Sequence, residues 1–404
     1  MIKTFKIYTL GCKVNQYDSQ SIRERFLQAG FKEMCNGKQA YFYIINTCTV
    51  TASADRKSRN IIRRCISENP RGKTIVTGCL AKKNEASLSG IEGIGYIIGK
   101  RFWGEGISDF QGRTRAFLKI QDGCNNRCSY CKVPLVRGSS RSRDMNTIVR
   151  EASVLAAKGF REIVLTGICL GAYGKDLKPR SSLTGLINEL EKIPALERLR
   201  LSSIEASDIS DELIAKMSVS RKLCPHLHIP IQSGDNEILR LMRRKYHRED
   251  YLRIVAKIKK TVPGIAVTTD ILAGFPGENE NRFNNTVGLL KKINPLHAHI
   301  FPYSPREGTA AFSRRDTVDA STMRKRICTL TKAADACALK FQSFFINQKL
   351  EVLFECRIKQ RPDSWVGYAG NYIKVAAVSK YCLAGQIMPV RLTGIKDGFM
   401  SGQI

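Results

Sequence analysis

Three cysteines lie close together near the middle of the first half of the sequence. They are Cys124, Cys128 and Cys131, spaced C-x3-C-x2-C. Three thiolates on one loop can hold three irons of a cubane iron–sulfur cluster, and since usual clusters take four cysteines, the fourth iron needs an exogenous ligand. A structural zinc site needs a fourth Cys or His nearby, but the next candidates are Cys169 and His226. A zinc site completed from afar stays open as the alternative.

Three further cysteines each follow a short apolar stretch in the first quarter of the chain. Cys12 follows KIYTLG, Cys48 follows YIINT and Cys79 follows KTIVTG. Helical stretches at 19–29 and 54–67 separate them, and this strand–helix rhythm predicts a parallel sheet. Because the carboxyl ends of parallel strands share the edge where ligands bind, we expect the three thiols to converge. The alternative is three small core residues.

The order of these elements predicts an α/β protein of three domains. A parallel α/β domain is expected at 1–112, ending in a Gly-rich linker at 83–113. At 113–340, six apolar strands alternate with helices, which predicts an open (βα)6 barrel with its chemistry on the loops after the strands. At 341–404, three short strands and turns at Gly367, Gly370, Gly385 and Gly394 fit a small β-barrel. The barrel strands are expected at 117–120, 162–166, 198–202, 227–230, 266–271 and 298–301.

The charge balance favours a polyanionic partner. The chain has 66 Lys and Arg against 36 Asp and Glu, a formal net charge of +30. Cations that neutralise phosphates release counterions, so nucleic acid is the leading partner class, with a solvated basic surface as the alternative. No run of about 18 apolar residues is present, and the first residues do not resemble a signal peptide. We therefore expect a cytoplasmic protein with no membrane partner.

The central C-x3-C-x2-C spacing resembles the hallmark motif of the radical-SAM superfamily. The resemblance is specific because the motif directly follows the strand that opens a six-unit barrel. The resemblance implies that S-adenosylmethionine (SAM) chelates the open iron through its amino and carboxylate groups. It also implies that one electron from the cluster cleaves SAM to a 5′-deoxyadenosyl radical. The protein's part is then to bind, orient and exclude water.

The three strand-ending cysteines narrow the resemblance to the methylthiotransferases. The stretches TLGCKVNQYDS, NTCTV and TGCLA are similar to the N-terminal domain of that family, and the last segment resembles a TRAM domain. The resemblance covers essentially the whole chain. It implies that Cys12, Cys48 and Cys79 hold a second [4Fe–4S] cluster whose open iron carries the sulfur. One SAM then methylates this sulfur, and a second SAM activates the substrate carbon.

Four stretches resemble the branch that modifies threonylcarbamoyladenosine. They are GCKVNQY at 11–17, LSSIE at 201–205, PHLHIPIQSG at 225–234 and FPYSPREGT at 301–309. The resemblance implies methylthio transfer to C2 of N6-threonylcarbamoyladenosine at position 37, in the anticodon stem-loop of tRNA. The same chemistry on isopentenyladenosine-37 or on a ribosomal-protein aspartate stays open. So does a different class, a non-catalytic metal-containing RNA-binding protein. An electron donor such as flavodoxin or ferredoxin and the iron–sulfur assembly machinery are expected partners.

Several residues after the strands are candidate SAM or substrate contacts. Tyr130 occupies the position where the superfamily often packs an aromatic near the SAM adenine, and Thr166 and Gly167 end the second strand, where the SAM amino group is contacted. Glycine allows close backbone approach at such a point. The remaining candidates lie on the same rim and are Ser202, Ser203, Glu205, Gln232 and Gly274.

Cys169 departs from the family, whose members usually carry histidine there, and is either a neutral replacement or a residue that perturbs the cluster. We expect Arg137, Arg141 and Arg143 to contact phosphate, with a solvated loop as the alternative. The cations after Cys48 have the same two interpretations; they are Arg56, Lys57, Arg59, Arg63 and Arg64. The remaining cysteines are interpreted as packing residues and are Cys35, Cys65, Cys224, Cys328, Cys337, Cys356 and Cys382.

Overall fold

The fold is taken from a computed structural model of the 404-residue chain. The structure describes residues 3–34, 38–83, 88–99, 106–359, 361–396 and 398–404. Cys35 and part of the expected linker lie outside the described residues.

The N-terminal domain is a parallel five-stranded sheet with helices on both faces. The strands are β1 (Thr4–Thr9), β2 (Lys32–Glu33), β3 (Phe42–Thr47), β4 (Lys73–Gly78) and β5 (Ile94–Ile98), in the order β2-β1-β3-β4-β5. The helices are α1 (Lys13–Gln28), α2 (Ala52–Glu68) and α3 (Cys79–Lys83). Ile22 of α1 packs on one face of the sheet and Ile62 of α2 on the other. The parallel sheet is confirmed, and β5 is an edge strand where the sequence indicated only a linker.

The central domain is an open barrel of six parallel strands, as expected. The strands are β6 (Arg115–Lys119), β9 (Glu162–Thr166), β10 (Arg198–Leu201), β11 (His226–His228), β12 (Ala266–Ala273) and β13 (His297–Pro302). They form two three-stranded sheets, which a bridge between Ser203 and His228 joins. Within the described ranges no pairing joins β13 back to β6. The barrel is therefore open between its first and last strands.

Helices cover the outside of this barrel. They are α4 (Val133–Arg137), α5 (Met145–Ala157), α6 (Leu183–Glu191), α7 (Asp211–Val219), α8 (Asn236–Leu241), α9 (Arg248–Thr261), α10 (Glu280–Ile293) and α11 (Ala320–Ser343). A short hairpin of β7 (Gln121–Asp122) and β8 (Arg141–Ser142) flanks the central cysteines. The largest hydrophobic core lies between the strands and these helices. It fixes the strand ends from which the loops project.

The C-terminal domain is a closed five-stranded barrel rather than three short strands. Its strands are β14 (Lys349–Ile358), β15 (Arg361–Ala369), β16 (Lys374–Val378), β17 (Ile387–Lys396) and β18 (Phe399–Gln403). The strands β15 and β18 were not expected from the sequence, and the expected turns at Gly367 and Gly394 are wrong, because these glycines lie inside β15 and β17. Gly367 lies inside β15, where an added Cβ would come within 2.3 Å of the Leu353 carbonyl oxygen, so a side chain has no room there.

The small barrel packs against the amino ends of the central strands. Arg115, which begins β6, donates to Glu355 at 2.7 Å, and Arg200 donates to the Gly370 carbonyl at 2.9 Å. Tyr372 stacks on His226 with ring centroids 4.6 Å apart. These contacts close the floor of the central barrel and leave its carboxyl edge for the cysteine loops.

None of the helices in the described ranges is long and apolar enough to cross a membrane.

Candidate active site

The loop that carries Cys124, Cys128 and Cys131 is held rigidly at the carboxyl edge of the central barrel. Gly123 begins it with φ +73°, and an added Cβ would come within 2.0 Å of the Ser139 carbonyl oxygen. The Cys124 amide donates to the Gly138 carbonyl at 3.0 Å, and the Cys131 amide donates to the Cys128 carbonyl at 3.1 Å. The loop therefore depends on a residue without a side chain at position 123.

The three sulfurs of this loop are surrounded by donors. The Asn126 amide donates to Cys124 Sγ at 3.4 Å, and Arg244 Nη1 donates to Cys128 Sγ at 3.5 Å. Burial, together with the charges of the other two thiolates, raises the pKa of Cys131 to about 12. Three such thiols ionise together only beside a strong positive charge, which a metal supplies. With N–H donors already aimed at the sulfurs, this set fits an iron–sulfur cluster.

The second set of cysteines converges at the carboxyl edge of the N-terminal sheet. Cys12 precedes α1, Cys48 follows β3 and Cys79 begins α3. A Cβ added at Gly11 would lie 3.0 Å from Cys48 Sγ. Burial raises the pKa of Cys79 to about 11; the charge of Arg137 opposes this rise, and the charges of Cys12 and Cys48 add to it. The donor set again fits a cluster held by three thiolates.

Asn15 ties the loops of this second set together. Its side-chain amide donates to the Leu10 carbonyl at 2.6 Å and to the Thr47 carbonyl at 3.0 Å. Ser58 on α2 donates to the Cys48 carbonyl at 2.9 Å and accepts from the Cys48 amide at 3.2 Å. Buried polar groups that are all hydrogen-bonded in this way stabilise one arrangement of the loops.

Arg137 connects the two sets of cysteines. Its guanidinium donates to both carboxylate oxygens of Asp122 at 3.0 Å and to the side chain of Asn15, and it hydrogen-bonds Cys79. Asp122 stands two residues before Cys124. Arg137 is only 5% exposed. The two triplets of thiols are therefore neighbours across a domain boundary.

The expectation that Arg137 and Arg143 contact phosphate is wrong. Both are buried, and Arg143 donates to Glu151 at 2.6 Å and to the Tyr17 hydroxyl at 2.9 Å. They join the N-terminal domain to the barrel. Arg141 is exposed, as are four of the five cations on α2; Arg59 is half-buried and pairs with Asp55 at 3.3 Å.

The other edge of the open barrel also contacts the N-terminal domain. Arg306, in the loop after β13, donates to the Thr49 carbonyl at 3.0 Å, to the Thr49 hydroxyl at 2.9 Å and to Asp55 at 2.8 Å. Ser304 accepts from the Ala52 amide at 3.3 Å. The N-terminal domain thus lies across the opening, held by α1 beside β6 and by α2 beside β13.

Tyr130 and Glu205, two of the candidate SAM contacts, are brought together by Arg244. Arg244 forms an ion pair with Glu205 and lies 3.5 Å from the Tyr130 hydroxyl. The Tyr130 ring packs edge-on against Phe275. The sequence analysis missed Arg244, because a cation in the run LMRRKY reads as a surface residue.

Another group of candidates follows the second and third strands. Thr166 is buried at the end of β9, and a Cβ added at Gly167 would lie 2.9 Å from Gln121 Oε1. Gln121, which the sequence analysis also missed, accepts from the Cys169 amide at 2.9 Å. Ser202 is buried, and its hydroxyl has no hydrogen-bond partner in the described part of the chain.

The remaining candidates are more widely placed. Ser203 bridges to β11, and Gln232 has φ +61° and pairs with Ile271. The Gly274 amide donates to Glu278 at 2.7 Å, and an added Cβ would meet Met323 at 2.0 Å. The Cα of Gly274 therefore faces α11.

Cys169 lies against the central cysteine loop. It is buried, with its sulfur 3.9 Å from Asn126 Nδ2 and 3.7 Å from Asp208 Oδ2. A hydrogen bond from the Cys169 thiol lowers the pKa of Cys124 to about 7. Of the cysteines interpreted as packing residues, the interpretation is confirmed by burial for Cys65, Cys224 and Cys337 and is wrong for three that are exposed, namely Cys328, Cys356 and Cys382.

Two family models match the chain. Residues 118–290 match the radical SAM superfamily, and residues 4–99 match the uncharacterized protein family UPF0004. The two matches fall on the central barrel and on the N-terminal sheet.

Curated relatives match along nearly the whole chain. The threonylcarbamoyladenosine tRNA methylthiotransferase MtaB of Bacillus subtilis is 39% identical over 98% of this chain and 94% of its own length. The tRNA-2-methylthio-N(6)-dimethylallyladenosine synthase of Acetivibrio thermocellus is 32% identical over 100% of this chain and 91% of its own length.

Among solved structures, the radical SAM methyltransferase TsrM of Kitasatospora setae is similar in fold. It superposes with a TM-score of 0.56 at 14% identity, over 77% of each chain.

Proposed function

The chain belongs to the radical-SAM methylthiotransferases, and from this membership we propose that it transfers a methylthio group to C2 of N6-threonylcarbamoyladenosine at position 37 of tRNA. One observation carries the proposal. Two triplets of thiols lie at two sheet edges, and Arg137 touches both Cys79 and Asp122 between them. One such triplet would serve the radical-SAM centre, and the second would hold the sulfur-bearing cluster that the resemblance to the methylthiotransferases implies.

Cys124, Cys128 and Cys131 would hold one [4Fe–4S] cluster and Cys12, Cys48 and Cys79 the other. When bound, the clusters and SAM supply the electron, the radical, the sulfur and the methyl group. The chain's own residues would hold these groups at fixed positions relative to one another. Arg137 and Arg306 hold the N-terminal domain against the two edges of the barrel. They would therefore keep the distance between the two triplets of thiols constant.

SAM would bind at the rim that Arg244 organises. Tyr130 and Glu205 lie within reach of this guanidinium, and Ser202 has a buried hydroxyl to offer. A buried hydroxyl without a hydrogen-bond partner carries an uncompensated desolvation penalty, so a SAM group that hydrogen-bonds Ser202 would recover that free energy. Thr166, Gly167, Ser203, Gln232 and Gly274 remain proposed contacts on the same rim.

The RNA would lie on basic surface near the second triplet. Arg56, Lys57, Arg63 and Arg64 are exposed on α2, the helix that follows Cys48, and Arg141 is exposed beside the central loop. Exposed cations beside a proposed catalytic centre suit an anionic backbone. The C-terminal barrel is proposed to add RNA contacts, and a flavodoxin or ferredoxin to supply electrons in the cytoplasm.

Nucleoside mass spectrometry of tRNA from a deletion strain tests the substrate. We expect the methylthio derivative of threonylcarbamoyladenosine to vanish and to return with the wild-type gene or with Cys328→Ala, but not with Cys12→Ala. An unchanged derivative overturns the proposal. Loss of the methylthio derivative of isopentenyladenosine instead would favour the other substrate, which is the dimethylallyladenosine in the name of the Acetivibrio thermocellus relative.

The rival class is a non-catalytic RNA-binding protein with structural metal. Anaerobic purification separates the two. About eight irons per chain and cleavage of SAM support the enzyme, whereas bound zinc without cleavage supports the binder.

A further inference from the structure

The lumen of the central barrel, the space that its six strands enclose, contains polar side chains that neither triplet of cysteines uses. On β12, Val267 and Ile271 lie in the large hydrophobic core between the strands and the helices. Successive side chains of a strand point to opposite faces of the sheet. Thr268 and Asp270 therefore face away from the helices, into the lumen.

Histidines on both neighbouring strands face the lumen beside these two residues. His228 of β11 pairs in register with Thr268, and His299 of β13 pairs in register with Asp270. Residues opposite each other on adjacent strands project from the same face of a sheet, so these side chains meet in front of β12. One metal-ligating atom from each of His228, Asp270 and His299 lies within 4.8 Å of the other two.

The distance between two of these groups is that of neighbouring ligands on one metal ion. Ligand atoms that lie about 2.0–2.2 Å from a metal are roughly 2.8–3.6 Å from one another in a tetrahedral or octahedral site. His228 Nε2 lies 3.2 Å from Asp270 Oδ2. The side chain of His299 is exposed, so it has room to close the remaining distance.

Neighbouring residues orient both imidazole rings for metal binding. His228 Nδ1 lies 2.9 Å from the Thr268 hydroxyl. A hydroxyl oxygen can accept the N–H of that nitrogen, which leaves the lone pair of Nε2 directed at the site. The ring of His299 packs edge-on against that of His297, with the centroids 4.4 Å apart. Partial burial lowers the pKa of His299, so its ring is neutral near pH 7, the form that binds metal.

We propose that His228, Asp270 and His299 bind a divalent transition-metal ion in the barrel lumen, separate from the two proposed clusters. Two imidazoles and one carboxylate suit manganese, ferrous iron and zinc. Three protein ligands leave coordination positions open for water or for an oxygen atom of a bound substrate. The site goes beyond the proposed function, because none of its ligands belongs to either triplet of cysteines.

A hydrogen bond from His228 Nε2 to Asp270 is the other explanation of their 3.2 Å separation. That hydrogen bond needs no third group, so it gives His299 no part in the cluster. A metal ion instead needs all three side chains. Replacing His299 therefore separates the two explanations.

The test is equilibrium dialysis of the reconstituted full-length enzyme against manganese, followed by elemental analysis of manganese and iron. Manganese suits oxygen and nitrogen ligands better than thiolates, so exposed cysteines contribute little to its binding. We expect the wild-type enzyme to retain about one manganese ion per chain in addition to the iron of its clusters.

Four variants locate the bound manganese. His299→Phe keeps an aromatic ring against His297, and Asp270→Asn keeps the side-chain volume; both are expected to lose the manganese and to keep the iron. Thr268→Val removes the hydroxyl beside His228 Nδ1 and should weaken manganese binding by about 10- to 100-fold, as loss of a group that orients a ligand does. His247→Asn is the matched control, because His247 lies at the start of α9 and asparagine is also favoured there; it should bind manganese like the wild-type enzyme.

The inference is overturned if the wild-type enzyme retains no more manganese than His299→Phe and Asp270→Asn, whether because none binds or because all binding is adventitious. If one of these two variants fails to hold its iron, the other variant and Thr268→Val decide. Manganese content does not depend on which nucleoside the enzyme modifies. Failure of the proposed function would therefore leave this result unchanged.

Discussion

Replacing Arg137 by methionine should loosen the N-terminal domain from the barrel. The guanidinium is buried and makes two hydrogen bonds of 3.0 Å to Asp122, which is 0% exposed. Methionine fills a similar volume but leaves the Asp122 carboxylate without its main partner. Removing one member of a buried ion pair typically costs about 3–5 kcal/mol.

For Arg137→Met we expect a cost near the lower end of that range, about 3 kcal/mol. Lys119 Nζ lies 3.9 Å from Asp122 Oδ2, and the Gly123 amide donates to Asp122 Oδ1 at 2.7 Å, so part of the carboxylate charge stays offset. A loss of about 3 kcal/mol corresponds to a roughly 150-fold larger population of the opened state. In the metal-free protein, amide hydrogen exchange in α1 should therefore speed up by about that factor, because exchange reports local opening. Arg137→Lys should restore only part of the slow exchange in α1, because an ammonium group lacks the planar guanidinium geometry that matches a carboxylate.

Arg141→Met is the matched control, because Arg141 begins β8 four residues after Arg137 and is exposed. Its effect should stay within about 0.5 kcal/mol. Equal exchange in α1 for the two variants would show that Arg137 does not hold the domains together.

Three other changes have defined outcomes. Arg306→Met removes two hydrogen bonds to Thr49, the residue after Cys48, and one to Asp55 on α2, so anaerobic iron analysis should show loss of one cluster; full iron content would contradict this. Gly78→Ala places a Cβ 2.4 Å from Asn46 and should also lose one cluster, whereas Gly288→Ala, which meets nothing within 4 Å, should keep both. Cys169→Ala removes the bond that lowers the pKa of Cys124 to about 7. Without this hydrogen bond the thiolate fraction of Cys124 at pH 7 falls, so alkylation of Cys124 in the metal-free protein should slow by about tenfold. An unchanged rate of alkylation argues against the hydrogen bond.

The sequence predicted the parts of the fold that depend on local pattern. The central triplet was found from its C-x3-C-x2-C spacing on one loop. The first triplet was found because parallel strands end at a common edge, a rule that needs only the strand positions. The helix after Cys12 begins at Lys13, six residues earlier than expected, because its first turns bury polar residues such as Asn15 and Ser19. A buried helical turn made of polar residues lacks the apolar periodicity from which a helix is predicted.

The roles of the buried arginines could not be predicted. Arginine is almost never fully buried unless paired, and the partners of Arg137 and Arg143 include Asn15 and Tyr17, more than 100 positions away. In β15, the sequence RPDSWVGYA lacks clean alternation, so closure of the C-terminal barrel was equally hidden. Contacts between domains are set by tertiary structure, which no short window of sequence contains.

The most direct test of the account is the iron content and activity of two triple variants after anaerobic reconstitution. Alanine at Cys12, Cys48 and Cys79, or at Cys124, Cys128 and Cys131, should leave about four irons per chain in each case. The first variant should still cleave SAM but insert no sulfur, and the second should do neither. Methylthio transfer at the wild-type rate by the first variant, or full iron content in either, would contradict the central claim.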